Sequence, residues 1–192
     1  MGEMKQEWIE GLRSPDAAAR GTAASQIYAY GRARADRATH SWWGSAEFAR
    51  WCGSAPNLTV GLAVRPETFA AIRKANDWPK LAKVPAEQDA SEFELHFDGA
   101  ISLDVLTSRE PGGTGVIARF LATKGEGVQQ VEIRCGDVDR ATEILRDEFG
   151  VAAVYPETRP GADGTRVNFF LVESADGKKL LIELYQTQQA QA

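Results

Sequence analysis

Eight side chains able to hold a cation, move a proton or grip a polar ligand occur within alternating apolar segments of this chain. They are Thr59, Glu94, His96, Asp104, Gln130, Glu132, Asn168 and Glu183. Seven carry oxygen donors and one is an imidazole, the types that ligate divalent ions or shuttle protons. Long basic side chains are scarce among them; Arg134 and Arg166 lie near segment ends. If gathered, Glu94, Asp104 and Glu183 would form a coupled carboxylate cluster suited to general acid–base work. A sheet face that meets water explains the same alternation, and at this point both explanations stand.

The elements that must position these groups follow from periodicity. Leu58, Val60, Leu62 and Val64 alternate with Thr59, Gly61 and Ala63, which is the pattern of a strand with one buried face. Phe93, Leu95 and Phe97 alternate with Glu94 and His96, and Leu103 and Val105 flank Asp104. These two strands meet at Asp98-Gly99, a strong hairpin turn signal. Val131 and Ile133 alternate with Gln130 and Glu132; Val167, Phe169 and Leu171 with Asn168; Leu180, Ile182 and Leu184 with Glu183. Pro66 opens a helix carrying Phe69 and Ile72, and Asp137 caps another carrying Val138, Ala141, Ile144 and Leu145. A further strand is expected at Ala152–Tyr155, and a turn at Asp176-Gly177. The order strand, helix, three strands therefore occurs twice, over Asn57–Leu106 and over Val128–Leu184. Two such modules can curl into one cup with a shared polar lining.

Residues before Asn57 read differently. MKQEWIEGL is a short amphipathic helix with Trp8, Ile9 and Leu12 on one side. Ser14-Pro15-Asp16 starts an Ala-rich helix running to about Ala38, and a third short helix holds Phe48 and Trp51. With Trp42, Trp43 and His40, this aromatic-rich extension is expected to cap one side of the main domain; a partner-binding role is the other reading.

Bulk properties exclude several classes. The 192 residues are 43% hydrophobic and 26% charged, enough for a substantial core. A net charge of −5 with a pI near 5.2 argues against a nucleic-acid surface. No apolar run reaches the length of a membrane span. The amino end, MGEMKQEW, lacks a secretion-signal pattern, so a cytoplasmic protein with reduced thiols is expected. Only Cys52 and Cys135 are present, too few for a disulfide framework. Neither has a histidine partner in sequence, and Cys135 alternates onto the apolar face. The glycine-rich RPGADG segment is no phosphate loop, since the Lys and Ser/Thr of that motif are missing.

GEGVQQVEI, DVDRATEILRDEFGV, RPGADGTRVNF and LLIELYQ together resemble the second module of methylmalonyl-CoA epimerases, members of the vicinal oxygen chelate superfamily that includes glyoxalase. LDVLTSREPGGTGVIARFLATKGEG resembles the end of that family's first module and its linker helix. The resemblance spans about residues 57–186, weaker over 57–99 and absent from the extension. It implies an α+β fold of two βαβββ modules forming a curved mixed-sheet cup. The expected division is a helical extension over 1–52 and a glyoxalase-like domain over 53–188. Within that domain, module one is expected over 57–108, the linker helix over 112–125 and module two over 127–186.

In that family a divalent metal is held by one residue from each of four strands, usually His, Gln or Glu, His and Glu. Position by position these fall on Thr59, Asp104, Gln130 and Glu183, and the epimerase base falls on Glu94. Only the last glutamate is retained. Without imidazoles a Zn²⁺-type ion would lose most of its affinity, so Mg²⁺, Mn²⁺ or Ca²⁺ on Asp104, Glu183 and Gln130 is the more plausible cofactor, if any. Small-molecule binding by Thr59, His96, Gln130, Glu132 and Asn168 is the leading expectation. A metal-dependent lyase or isomerase with Glu94 and Glu183 as catalytic groups is the second, and an interaction module built on the extension the third. A homodimer, with modules paired within a chain or swapped between two, is compatible with the resemblance.

Overall fold

The computed structural model describes residues 4–173 and 177–187. The chain divides into two compact units, Met1–Gly31 with Thr59–Gln129 and Arg32–Leu58 with Gln130–Ala192. The helical extension is thus shared between them, its long second helix contributing to both.

In the first unit, strand β1 (Leu58–Ala63) pairs parallel to β3 (Ile101–Thr107), and β3 pairs antiparallel to β2 (Ser91–Phe97). The β2–β3 hairpin turns at Asp98-Gly99, with Gly99 at φ +78°, a conformation glycine adopts without steric cost. Register puts Val60, Leu62, Phe93, Leu95, Leu103 and Val105 on one face. Helix α4 (Pro66–Ala75) covers it, with the Phe69 and Phe93 rings 4.7 Å apart and Ile72 fully buried. Helix α1 (Gln6–Leu12) buries Ile9 and Leu12, and α2 (Ala17–Thr39) buries Ala24 and Ile27. Gly31 of α2 lies against β1: a Cβ there would stand 2.6 Å from Val60 Cγ1. On the opposite face, helix α5 (Val116–Lys124) closes one end through a cluster of Ala63, Ala90, Leu106 and Ile117.

Polar contacts tie α1 into this unit. Gln6 Nε2 donates to Glu126 (2.9 Å), whose other oxygen accepts the Arg65 backbone N–H at the start of α4 (2.8 Å). Burial pushes the Glu126 carboxyl up, but the Arg65 N–H, the Thr68 hydroxyl, the Gln6 amide and the Arg65 charge outweigh it and hold the group below its ordinary value. Asn76 Nδ2 donates to the Leu12 carbonyl (3.0 Å), anchoring the end of α1.

In the second unit, β4 (Gly127–Arg134) pairs parallel to β7 (Lys179–Gln186), β7 antiparallel to β6 (Arg166–Glu173), and β6 antiparallel to β5 (Arg159–Pro160). Helix α6 (Val138–Phe149) begins where Asp137 accepts the Arg140 N–H (2.9 Å) and ends at left-handed Gly150. Its buried stripe is the expected one. A 3₁₀ turn at His40–Gly44 and helix α3 (Ala46–Cys52) bring Trp42 and Phe48 into the core, with Trp42 packed edge-on to both Phe48 and Phe170. Arg140 of α6 bonds Glu47 of α3 (Nε to Oε1, 3.0 Å).

Four local expectations change. The first module has two strands after its helix among the described residues, not three: Pro79 and Pro85 remove donors from that stretch, and its backbone bond to β2 is Ala82 N–H to Glu92 C=O. The strand expected at Ala152–Tyr155 is reduced to a single bridge, Ala153 to Phe170, followed by the two-residue β5. The linker helix starts at Val116, after the glycine-rich PGGTG segment. Most consequentially, β6 has the opposite phase: Asn168 and Phe170 share a face with Leu184 and Ile182, while Val167, Phe169 and Leu171 share one with Tyr185, Glu183 and Leu181. The turn expected at Asp176-Gly177 includes a residue outside those described.

Two glycines of α2 make opposite predictions. Gly31→Ala drives a methyl into Val60 and should cost roughly 1–3 kcal/mol. Gly21→Ala, with nothing within 4 Å of the added carbon, should stabilise by about 0.5–1 kcal/mol. Urea melts of the two variants against the parent chain check both signs. Glu126 gives a pH prediction. Because its folded pKa is depressed, ionised Glu126 stabilises the fold above its unfolded pKa, and the contribution is lost as pH falls through the folded value. Glu126→Gln should therefore melt earlier than the parent near neutral pH, with the gap closing in acid.

Candidate functional site

The second unit gathers three of the expected groups. Parallel pairing of β4 with β7 sets Glu132 directly opposite Glu183 and Gln130 opposite Leu181, all on one face. Gln130 and Glu132 are buried, at 6% and 8% exposure. Gln130 Nε2 donates to Glu132 Oε1 (3.1 Å) and to Glu183 Oε2 (2.8 Å). Two like charges opposite each other on neighbouring strands are destabilising; one amide placed between them supplies a donor to each. The neighbouring strand adds an apolar border that the sequence phase concealed. Phe169 lies opposite Glu183, with Tyr155 edge-on at 6.1 Å, and Leu171, 49% exposed, continues the same face. Arg159 stacks over Tyr155 at 4.2 Å.

Asn168 does not belong to this face. It is fully buried on the helix side with Leu184; its Oδ1 accepts the neighbouring Phe169 N–H (2.9 Å), and its Nδ2 lacks a partner. The run VNFFLV is apolar at both parities, so alternation alone could not fix its phase. Phe170 fixes it by packing against Trp42.

The first unit holds a second polar face. Glu94 lies opposite Asp104 across the β2–β3 pair, and His96 opposite Ser102. His96 Nε2 pairs with Glu94 Oε2 (3.0 Å), and His96 Nδ1 with Ser102 Oγ (3.1 Å). The His96 and Glu94 side chains are more than half exposed, so this pairing contributes little energy. Asp104 and Thr59 are buried, at 6% and 7% exposure, on the same face. Ser102, not among the groups expected from the sequence, joins this face through its spacing of two from Asp104.

No protein-family model matches the sequence, and neither does any curated protein. Solved structures do. Methylmalonyl-CoA epimerase from Mycobacterium tuberculosis aligns over 71% of this chain and 89% of its own, with 29% identity and a TM-score of 0.57. A methylmalonyl-CoA epimerase in complex with methylmalonyl-CoA and NH4+ aligns over 68% and 92%, with 26% identity and a TM-score of 0.56. The fold is that of the vicinal oxygen chelate superfamily. A Streptomyces coelicolor epimerase variant in complex with 2-nitronate-propionyl-CoA adds a third case, with 25% identity, 70% and 95% coverage and a TM-score of 0.57.

The superfamily's metal can be tested against the residues present. Gln130 turns its NH₂ toward both carboxylates, and hydrogen-bond donors repel a cation rather than ligate it. Thr59 offers a weak neutral oxygen where an imidazole is expected. Among the described residues, no three His, Cys, Asp or Glu groups are placed to hold one ion. The donor set does not fit the superfamily's metal. A prediction follows from the amide: Gln130→Leu leaves Glu132 and Glu183 opposed without their shared donor, and should cost about 1–3 kcal/mol, read as a lower urea midpoint with an unchanged slope.

Proposed function

We propose that this vicinal oxygen chelate protein binds a small organic molecule without a metal ion, using the Gln130–Glu132–Glu183 network as its polar floor. The observation that carries the reading is the Gln130 amide, bonded to both carboxylates; the sequence resemblance puts a ligand histidine of the superfamily at this residue. Two carboxylates favour a ligand that brings N–H or O–H donors, and Phe169 and Leu171 offer apolar surface beside them. Shape in such a site is supplied by the fold, while specificity comes from a few polar groups.

An epimerase-like activity is the second reading. It draws on the 29% identity with the Mycobacterium tuberculosis enzyme and on the family position of Glu94 as base. That role needs a carboxylate poised against substrate; Glu94 is more than half exposed and pairs with His96 at 3.0 Å.

A thermal-shift screen separates the two. Its compounds are methylmalonyl-CoA, free coenzyme A, and a set of small amines and polyols with apolar flanks. A ligand present at about a hundred times its Kd should stabilise the fold by roughly 2.7 kcal/mol. Donor-bearing compounds are expected to raise Tm, and Gln130→Leu is expected to abolish the rise. Stabilisation by methylmalonyl-CoA alone, with deuterium exchange at its carbon acid that is lost in Glu94→Gln, would overturn this reading in favour of the epimerase.

A further inference from the structure

The second unit contains a feature that the polar face does not use. A cleft of about 370 Å³ lies where the end of α3 meets the ends of β4 and β7, lined by Trp51, Cys52, Arg134, Cys135, Gly136 and Gln186 among others. The chain's only two cysteines thus share one wall, although they are remote in sequence. Their surroundings hold them in place. Gly136 N–H donates to the Trp51 carbonyl (2.6 Å) and Cys135 N–H to the Tyr185 carbonyl (2.8 Å). The Cys135 thiol reaches the same Tyr185 carbonyl (3.4 Å) and is hydrogen-bonded to Cys52. Both sulfurs are free and buried. Arg134 contributes a guanidinium to the cleft; it donates to the Thr187 hydroxyl (3.4 Å), and no carboxylate pairs with it among the described residues.

We propose that Cys52 and Cys135 form a peroxide-reactive dithiol that closes to an intramolecular disulfide in this cleft. The Cys52 sulfur, as thiolate, attacks the distal oxygen of a hydroperoxide. An S–O bond forms, the O–O bond breaks, and the departing alkoxide (hydroxide when the oxidant is hydrogen peroxide) takes up a proton from solvent and leaves as an alcohol or as water. The Cys135 sulfur then attacks the Cys52 sulfenic acid, an S–S bond forms, and the hydroxyl leaves with the Cys135 proton as water. The two thiols are oxidised by two electrons and the peroxide is reduced by the same two. The order of attack follows from the hydrogen bonding: the Cys135 thiol donates to the Tyr185 carbonyl, which holds its proton until the second step. The positive charge of Arg134 favours an anionic leaving group in the same cleft. Closure ties the end of α3 to the end of β4.

The test uses the full chain. Reduced protein is treated with stoichiometric hydrogen peroxide, quenched with an alkylating agent, and read by intact and peptide mass. The expected result is simultaneous loss of both thiols, loss of two hydrogen atoms per chain, a single Cys52–Cys135 cross-linked peptide, and reversal by dithiothreitol. Cys135→Ser should stop at a dimedone-reactive sulfenic acid on Cys52, and Cys52→Ser should react much more slowly. Three results would overturn the proposal: thiols that react in urea and not in the folded chain, thiols lost one at a time without a cross-link, or disulfides formed only between chains. The wild-type measurement decides the matter even if a variant fails to fold, and its outcome is independent of the ligand read by thermal shift.

Discussion

Parallel pairing of β4 with β7 sets Glu132 and Glu183 in direct opposition, and two like charges so placed on neighbouring strands are destabilising unless something offsets them. A cation is one solution and a hydrogen-bond donor is another. This chain uses a donor, the Gln130 amide, two residues from Glu132 on the same strand face. The choice is local but its consequences spread. An amide bonded to two acceptors restricts its own rotamer and links β4 to β7 through a side chain as well as through the backbone.

The two modules have diverged around this point. The second keeps a helix-covered sheet with a compact hydrogen-bonded floor and an apolar border of Phe169 and Leu171. The first has lost a strand to Pro79 and Pro85, and one end of its polar face is closed by α5 through Ala63, Leu106 and Ile117. What remains there is a buried Asp104 and Thr59 and an exposed Glu94–His96–Ser102 chain. The helical extension is built into both units. Its apolar side chains, Ile9 and Leu12 in one and Trp42 and Phe48 in the other, are buried in the cores, which is why it reads as structure in this fold.

Much of this was legible in the sequence because it is local. The Asp98-Gly99 hairpin, the Asp137-capped helix and the alternation of Gln130 and Glu132 with Val131 and Ile133 each depend on a few neighbouring residues. What failed was either degenerate or non-local. VNFFLV is apolar at both parities, so alternation alone does not set the face of Asn168; Trp42, from a distant segment, sets it by packing on Phe170. AAVY forms one bridge to β6, Ala153 to Phe170, and Pro156 follows directly after it. The amide bridge needed the β4–β7 register, and the meeting of Cys52 with Cys135 needed the tertiary fold; no spacing rule encodes either.

The central claim is that an amide, and not a cation, reconciles Glu132 with Glu183. Side-chain NMR of ¹⁵N-labelled protein during a Mn²⁺ titration tests it directly. The Gln130 NH₂ resonances should be protected from solvent exchange and should broaden no more than surface amides as the paramagnetic ion is added. Selective broadening of the Gln130 resonances at low Mn²⁺, together with loss of their exchange protection, would show that the carboxylates take a cation and would contradict the account.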